Sequence, residues 1–321
     1  YTEQGFTVVQ SGRQDGIFQG QSFVASLGQG LPGELILKAN ASHFMSFSKG
    51  SSAQSYPSSL MGSIALIRQT LADATWYQQA YGKTDVRFQG EPTEFNAALA
   101  ALGQLEQTGL IFAGNNDRAL LRIDALLNEF NLRNVALLGN GYEYARVQEI
   151  ARTGRTLIVP LAYPAAPTVA KLDDQLDISL ADLRHWERAP ANLAALAKAG
   201  VPFALTSHQL EKKSQFWPNL RKAIQHGLPV DTALAALTTV PARVIGLEQQ
   251  LGKIAVGYQA DLVISKGDLF ADGEIVATWT RGQEQQFKPL QPVLVSGRYP
   301  LSVQGKALTL EFTGHGEDFA G

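Results

Sequence analysis

Cysteine is absent from this chain of 321 residues, and charged residues are scarce. The lack of cysteine excludes disulfides, thiolate metal sites and cysteine nucleophiles. Charged residues make up 17% of the chain and the formal net charge is -2, so there is no electrostatic reason to expect a nucleic acid or an anionic membrane as a partner. Gln, Ser and Asn supply much of the remaining polarity, a composition common in exported bacterial proteins.

Long apolar runs are also absent. Hydrophobic residues are 45% of the chain, enough for a full-sized core, but no run approaches the roughly 20 residues that cross a bilayer. This predicts a soluble protein and leaves the cytoplasm and the periplasm open as compartments. The sequence begins at Tyr1 with neither an initiator Met nor a basic-then-apolar leader, so we expect the start to be a cut point, either processing or a fragment.

From Leu110 onward, short apolar runs alternate with amphipathic stretches. The runs predict buried strands, at Leu110–Gly114, Val135–Gly139, Thr156–Leu161 and Pro202–Ser207. The stretches between them have apolar residues at helical spacing and predict helices, at Asp117–Phe130, Glu143–Arg152 and around Leu193–Ala199. Continuous apolar strands alternating with helices indicate a parallel sheet covered on its faces.

The two ends of the chain have other patterns. Before Leu110 the sequence predicts three strands and two long helices, at Phe6–Gln10, Ser22–Leu27, Glu34–Ala39, Leu60–Gln79 and Glu94–Gln107. All of these strands together would give seven barrel strands, so we expect an eighth to precede Tyr1. After Gly246, short β-runs between glycine turns predict a small antiparallel module, at Ile254–Val256, Ala260–Ile264, Glu274–Thr280, Pro292–Val295 and Ala307–Phe312.

The segment Thr238–Asp268 carries the most specific pattern in the sequence. It reads TTVPARVIGLEQQLGKIAVGYQADLVISKGD, with the order T-x-x-P-A-x-x-x-G-L, then L-G-x-I, V-G and A-D-L-V. Pro241 restrains its neighbour, Gly246 ends a helix, and Gly252 and Gly257 allow tight turns. The segment closely resembles the C-terminal signature of the amidohydrolase superfamily, especially the imidazolonepropionase-like and related cyclic amidohydrolases, which hydrolyse non-peptide C–N bonds.

The resemblance implies an α/β fold, a (β/α)8 TIM-type barrel whose first strand is missing from this chain, with a small flanking β-sandwich module. We expect the barrel to occupy residues 1–245 and the module residues 246–321. In that family one or two divalent metals, often zinc, bind at the carboxyl ends of the strands through H-x-H on the first strand, often a Lys or Glu on the fourth, His on the fifth and sixth, and Asp on the eighth. The metal activates a water and the Asp takes its proton.

Those ligands are largely missing. None of the five histidines forms an H-x-H pair, and the strands at Leu110 and Val135 end without a His. Thr206-Ser207-His208 stands where the family usually reads Thr-Ser-Asp, so His208 is either a retained ligand or general base at the barrel mouth, or a polar residue at a strand end. The latter interpretation is preferred. His43 is interpreted as structural, and His185 and His226 as helix-surface residues.

Polar side chains follow several predicted strands where the loops of a barrel converge. We predict that they line a metal-free ligand pocket: Asn115, Asn116, Asn140, Tyr142, Tyr163 and Ser207. The alternative for Asn116, beside Asp117 at a helix start, is a helix cap. The sequence alone does not choose between these roles.

Three functional hypotheses follow. In the first, the chain is a pseudoenzyme without metal or other cofactor, serving a structural, regulatory or small-molecule-binding role beside a catalytic amidohydrolase domain or in a homodimer. In the second, it is an active metal-dependent hydrolase that uses His208 and ligands N-terminal to this chain. In the third, it is an unrelated α/β small-molecule-binding protein.

Overall fold

The computed structural model describes residues 1–81, 94–289, 297–303, 306–315 and 318–320. The strands in chain order are β1 (Val8–Ser11), β2 (Phe18–Gln21), β3 (Phe23–Ser26), β4 (Ile36–Lys38), β5 (His43–Ser46), β6 (Leu110–Ala113), β7 (Val135–Leu138), β8 (Thr156–Pro160), β9 (Phe203–Thr206), β10 (Leu262–Lys266), β11 (Glu274–Thr280), β12 (Gln283–Gln286), β13 (Gly297–Val303), β14 (Lys306–His315) and β15 (Asp318–Ala320). The α-helices are α1 (Pro32–Leu35), α2 (Leu60–Ala80), α3 (Ala97–Leu102), α4 (Leu105–Thr108), α5 (Asp117–Glu129), α6 (Val147–Thr153), α7 (Leu172–Asp177), α8 (Leu180–Arg188), α9 (Asn192–Lys198), α10 (Phe216–Gln225), α11 (Val230–Leu237) and α12 (Thr239–Val244).

The largest sheet has six strands in the order β2-β5-β6-β7-β8-β9. Strands β5 to β9 pair in parallel in sequence order, and β2 pairs antiparallel with β5 at one edge. Helices connect the parallel strands, as a TIM-type barrel requires, but the sheet does not close on itself within the described residues. The predicted α/β class and the four strands from β6 to β9 are confirmed, each within two residues of its predicted ends.

The three N-terminal strands were assigned to the wrong sheet. Strands β1, β3 and β4 form an antiparallel sheet of their own, so the count of seven barrel strands is wrong. The connections between them are too short for the crossover that parallel strands need. The strand that does open the parallel sheet, His43–Ser46, was not predicted, because only Phe44 and Met45 of its four residues are apolar.

Antiparallel sheets flank the parallel one. Near the C-terminus the strands pair as β10-β11-β12 and β13-β14-β15. The first of these sheets lies near the N-terminal one, since Arg281 Nη1, in the turn between β11 and β12, donates to the Glu34 carbonyl of α1 at 2.8 Å. Ile254–Val256, predicted as a strand, is a turn segment whose Ile254 and Val256 side chains are exposed. Pro292–Val295 lies outside the described residues, and the sandwich arrangement and the division at residue 245 remain predictions.

Two predicted helices are interrupted. The stretch Glu94–Gln107 contains two short helices, α3 and α4, which meet at Gly103. The stretch from Glu143 begins as a 3-10 turn, Glu143–Arg146, before α6 starts. That turn aims the Glu143 side chain back at the end of β7 instead of along the helix surface.

The core lies mainly on the helix-covered face of the parallel sheet. Met45, Phe112, Leu137, Leu157 and Phe203 point into it from successive strands and are at most 2% exposed. The opposite face carries a smaller cluster: Phe44, Ile111 and Ala136. Burial on both faces explains why these strands read as continuous apolar runs. None of the described helices has the length and apolar character that spanning a membrane demands.

Candidate functional site

The carboxyl ends of β5 to β9 meet at one edge of the sheet, because these strands are parallel. The loops that leave this edge carry all seven predicted site residues: Asn115, Asn116, Asn140, Tyr142, Tyr163, Ser207 and His208. In the described part of the chain, hydrogen bonds among these seven join only neighbours within one loop, as from the Tyr142 amide to Asn140 Oδ1 at 3.3 Å. The topology therefore brings them to one edge without building a single polar constellation.

Asn116 caps helix α5. Its Oδ1 accepts a hydrogen bond from the Ala119 amide at 2.8 Å, and its backbone is extended, as a residue preceding a helix requires. Its Nδ2 donates to Asn115 Oδ1 at 3.0 Å. Of the two roles left open for Asn116 by the sequence, the structure shows the helix cap.

Glu143 is the buried polar centre of this edge, and the sequence did not single it out. Its Oε1 accepts from the amides of Asn140 at 2.7 Å and Gly141 at 3.1 Å, and its Oε2 accepts from Asn192 Nδ2 at 2.6 Å. Glu143 and Asn192 are both almost completely buried. The carboxylate therefore satisfies the backbone of the turn after β7 and ties that turn to α9.

His208 follows β9 and is partly buried. Its amide donates to Thr206 Oγ1 at 3.1 Å. Burial, and then the charge of Lys213, lower the pKa of the His208 imidazole, which is thus neutral at pH 7. Lys213 lies close by, with its ammonium donating to the Ser207 carbonyl at 3.0 Å. A neutral imidazole is able to ligate a metal, but the neighbouring cation opposes one.

Tyr163, after β8, is partly buried and anchored to helix α10. Its hydroxyl donates to the Asn219 carbonyl at 3.2 Å, and Asn219 Nδ2 donates to the Leu161 carbonyl at 2.6 Å. Burial raises the pKa of the Tyr163 phenol well above its ordinary value. These bonds hold the loop after β8 against the helix, so Tyr163 has a positioning role here.

Three other histidines do not lie at the carboxyl ends of the parallel strands. His43 is buried at the amino end of β5, and its Nε2 has no hydrogen-bond partner among the described residues. His226 is exposed at the end of α10. His185 lies on α8 but is not a simple surface residue, because its ring stacks on Tyr142 with centroids 3.7 Å apart.

Two strand ends have little room for a side chain that could ligate a divalent metal. Gly114 directly follows β6, and a Cβ there would lie 2.7 Å from Leu120 Cδ2. Gly139 directly follows β7, and a Cβ there would lie 2.1 Å from Glu143 Oε1. A side chain therefore has no room at either position without movement of its neighbour. Across the part of the chain that the structure describes, no group of three His, Asp or Glu side chains is arranged to hold a metal. The residues at these two strand ends do not fit the metal centre that the resemblance implies.

The parallel sheet, the helices between its strands and the flanking antiparallel sheets are consistent with a TIM-type α/β barrel protein. The profile of the amidohydrolase family matches residues 143–297. An amidohydrolase from Thermotoga maritima MSB8, known from a crystal structure, has the same fold, with a TM-score of 0.71 and 21% identity over 90% of this chain and 73% of its own.

Amidohydrolase tasK of Hapsidospora irregularis is 40% identical over 70 residues, which are 22% of this chain. The match spans only 7% of the length of that curated relative. The profile match contains the Thr238–Asp268 signature, and this part of the chain, residues 143–297, belongs to the amidohydrolase family.

Proposed function

We propose that this chain is a small-molecule-binding barrel of amidohydrolase descent that does not itself hold a catalytic metal. The observation that carries the proposal is the position of the Glu143 carboxylate. It occupies the space beside Gly139 at the end of β7 and accepts three hydrogen bonds. A metal-binding His at that position would displace it. The chain would then serve beside a catalytic amidohydrolase domain or in a homodimer, as a binding or regulatory unit.

The second candidate is an active metal-dependent hydrolase of C–N bonds. The neutral, partly buried His208 at the carboxyl edge favours it, because such an imidazole is available as a ligand or a general base. This candidate needs further ligands, which would have to lie N-terminal to this chain. Zinc or another divalent metal would be its cofactor.

Zinc content separates the two candidates. The full natural chain that contains this sequence is purified without chelator, incubated with zinc, desalted and analysed for metal, together with the variants His208→Ala and His226→Ala. We expect the zinc content to be the same in all three proteins, because the described residues offer no group of donors that includes His208. One equivalent of zinc that is lost in His208→Ala and kept in His226→Ala, whose imidazole is exposed at the end of α10, would contradict the proposal and favour the hydrolase.

A further inference from the structure

A cleft of about 530 Å³ opens beside the carboxyl edge, between the loop after β8 and helix α8. Its walls are aromatic rings, proline rings and aliphatic groups, together with three carboxylates. Tyr142, one of the predicted site residues, contributes to it from the loop after β7. The cleft is therefore continuous with the candidate site but includes residues that the sequence did not connect with it.

The aromatic wall is held in a fixed arrangement. The Tyr142 and His185 rings are stacked, with an interplanar angle of 7°. Tyr144 holds the His185 ring in place by a hydrogen bond, with its hydroxyl 3.2 Å from His185 Nδ1. Tyr142 remains 39% exposed and the neighbouring Trp186 42% exposed. Two large ring systems are thus presented to the cleft instead of being used in the core.

The charge of the cleft is negative. Asp174, Asp177 and Asp182 line it, and no lysine or arginine is among the described residues of its lining. His185 adds no positive charge at pH 7, since burial lowers the pKa of its imidazole. Carboxylates and aromatic faces both attract cations, and the apolar part of the lining reduces the competition from water.

The carboxylate of Asp177 has no evident role in the fold. Asp174 accepts from the Lys171 amide at 3.3 Å and Asp182 accepts from Ser179 Oγ at 2.6 Å, so both also stabilise helix starts. Asp177 makes no such bond within the described residues and is the last residue of α7, the end of a helix at which a cation is preferred. Helix α8 contains no buried residue, so this wall of the cleft is not needed to complete the core.

We propose that this cleft binds an organic cation, with the ammonium or guanidinium group lying over Tyr142 and Trp186 and facing the carboxylate of Asp177. A ligand of this class satisfies the carboxylate and covers the exposed rings at the same time. The inference rests on the proposed function, since a binding barrel needs a ligand. It names the charge and the class of that ligand.

Calorimetric titration tests this inference in the presence of EDTA, so that no metal contributes. The probes are choline, butylguanidinium and the tert-butyl analogue of choline, in which an uncharged carbon replaces the ammonium nitrogen. We expect at least one of the two cations to bind, and choline, if bound, to bind at least about tenfold more tightly than its uncharged analogue. High salt should weaken the binding of the cation.

Variants locate the site. Asp177→Asn should weaken binding of the cation by about fivefold or more, and Tyr142→Leu likewise. Asp173→Asn is the matched control, because Asp173 lies on the same helix and is exposed but does not line the cleft. The affinity of Asp173→Asn for the cation should differ from that of the unsubstituted protein by less than about twofold.

The outcomes are distinct from those of the zinc experiment. Failure of both cations to bind, or equal binding by choline and its uncharged analogue, would overturn this inference and leave the metal-free barrel standing. Equal losses in Asp177→Asn and Asp173→Asn would also overturn it, since they would indicate general attraction to an acidic surface. Zinc that is lost in His208→Ala would instead overturn the proposed function, whatever the cations do.

Discussion

At the scale of the single residue, the end of β7 is closed by one carboxylate. Glu143 Oε1 takes the position that a side chain at Gly139 would need, and the same oxygen accepts two backbone hydrogen bonds. The glycine and the glutamate are therefore coupled: the absence of a Cβ makes room for the carboxylate, and the carboxylate satisfies the turn. Replacing Gly139 or Glu143 alone should therefore lower the free energy of unfolding.

A double-mutant cycle measures the coupling. Glu143→Ala leaves three donors without an acceptor, two of them buried and one partly buried, and should lower the free energy of unfolding by about 3 kcal/mol. Gly139→Ala should cost about 2 kcal/mol alone, because the carboxylate must move, but much less in the Glu143→Ala background. Urea unfolding of the four proteins gives the coupling energy.

Glu187→Ala is the control for this cycle, because Glu187 is exposed on α8. Its free energy of unfolding should change by less than about 0.5 kcal/mol. Strictly additive effects of Gly139→Ala and Glu143→Ala would show that the two side chains do not share the space at the end of β7.

The sequence predicted part of this site and missed its centre. Asn140 and Tyr142 were predicted because a residue that follows a buried parallel strand must lie at the carboxyl edge. Glu143 was predicted only as the first residue of the helix Glu143–Arg152, and a glutamate in a sequence is ordinarily no sign of a buried side chain. The one available signal was the pair Gly139 and Gly141 just before it, which permits close approach but does not say which side chain approaches.

At the scale of the element, helix α5 depends on the cap at its start. Asn116→Ala removes the acceptor for the Ala119 amide and should lower the free energy of unfolding by about 1 kcal/mol. Asn116→Asp keeps an acceptor and should restore most of the loss. The adjacent Asn115→Ala is the matched control, with an expected change below about 0.5 kcal/mol, because Asn115 is exposed and its side chain bonds, among the described residues, to its neighbour alone.

The affinity for a cation distinguishes a helix cap at Asn116 from a ligand contact there. We expect Asn116→Ala to leave the affinity for a bound cation unchanged, since Asn116 is not part of the cleft. A loss of affinity without a loss of stability would show that Asn116 contacts ligand and that its cap is incidental.

Elements differ in how well the sequence predicted them. Strands β6 to β9 are buried on both faces, so each is a continuous apolar run that can be recognised without knowing its neighbours. Strand β3 was recognised as a strand, but the pattern does not state its partner, and it pairs with β1 and β4 instead of joining the parallel sheet. Pairing depends on the length of the connections and on packing across the molecule, which local periodicity does not contain.

At the scale of the whole molecule, the stability of the protein should depend on pH through its buried histidines. Burial lowers the pKa of His43, His185 and His208 below the ordinary value of about 6.5. Below that pH the unfolded chain takes up protons that the folded protein resists, so the free energy of unfolding falls as the pH falls. Above it all three are neutral in both states, and their contribution is fully present.

Urea unfolding between about pH 5 and pH 8 checks this dependence, in a range above the titration of most carboxylates. His43 is the sharpest case, because it is buried in β5 and its Nε2 has no partner among the described residues. His43→Leu should therefore show a smaller fall in stability on acidification than the unsubstituted protein. His226→Gln, altered at an exposed residue, should follow the unsubstituted protein. An unchanged acid dependence in His43→Leu would mean that His43 binds protons alike in the folded and unfolded chains, and that its burial does not govern the response.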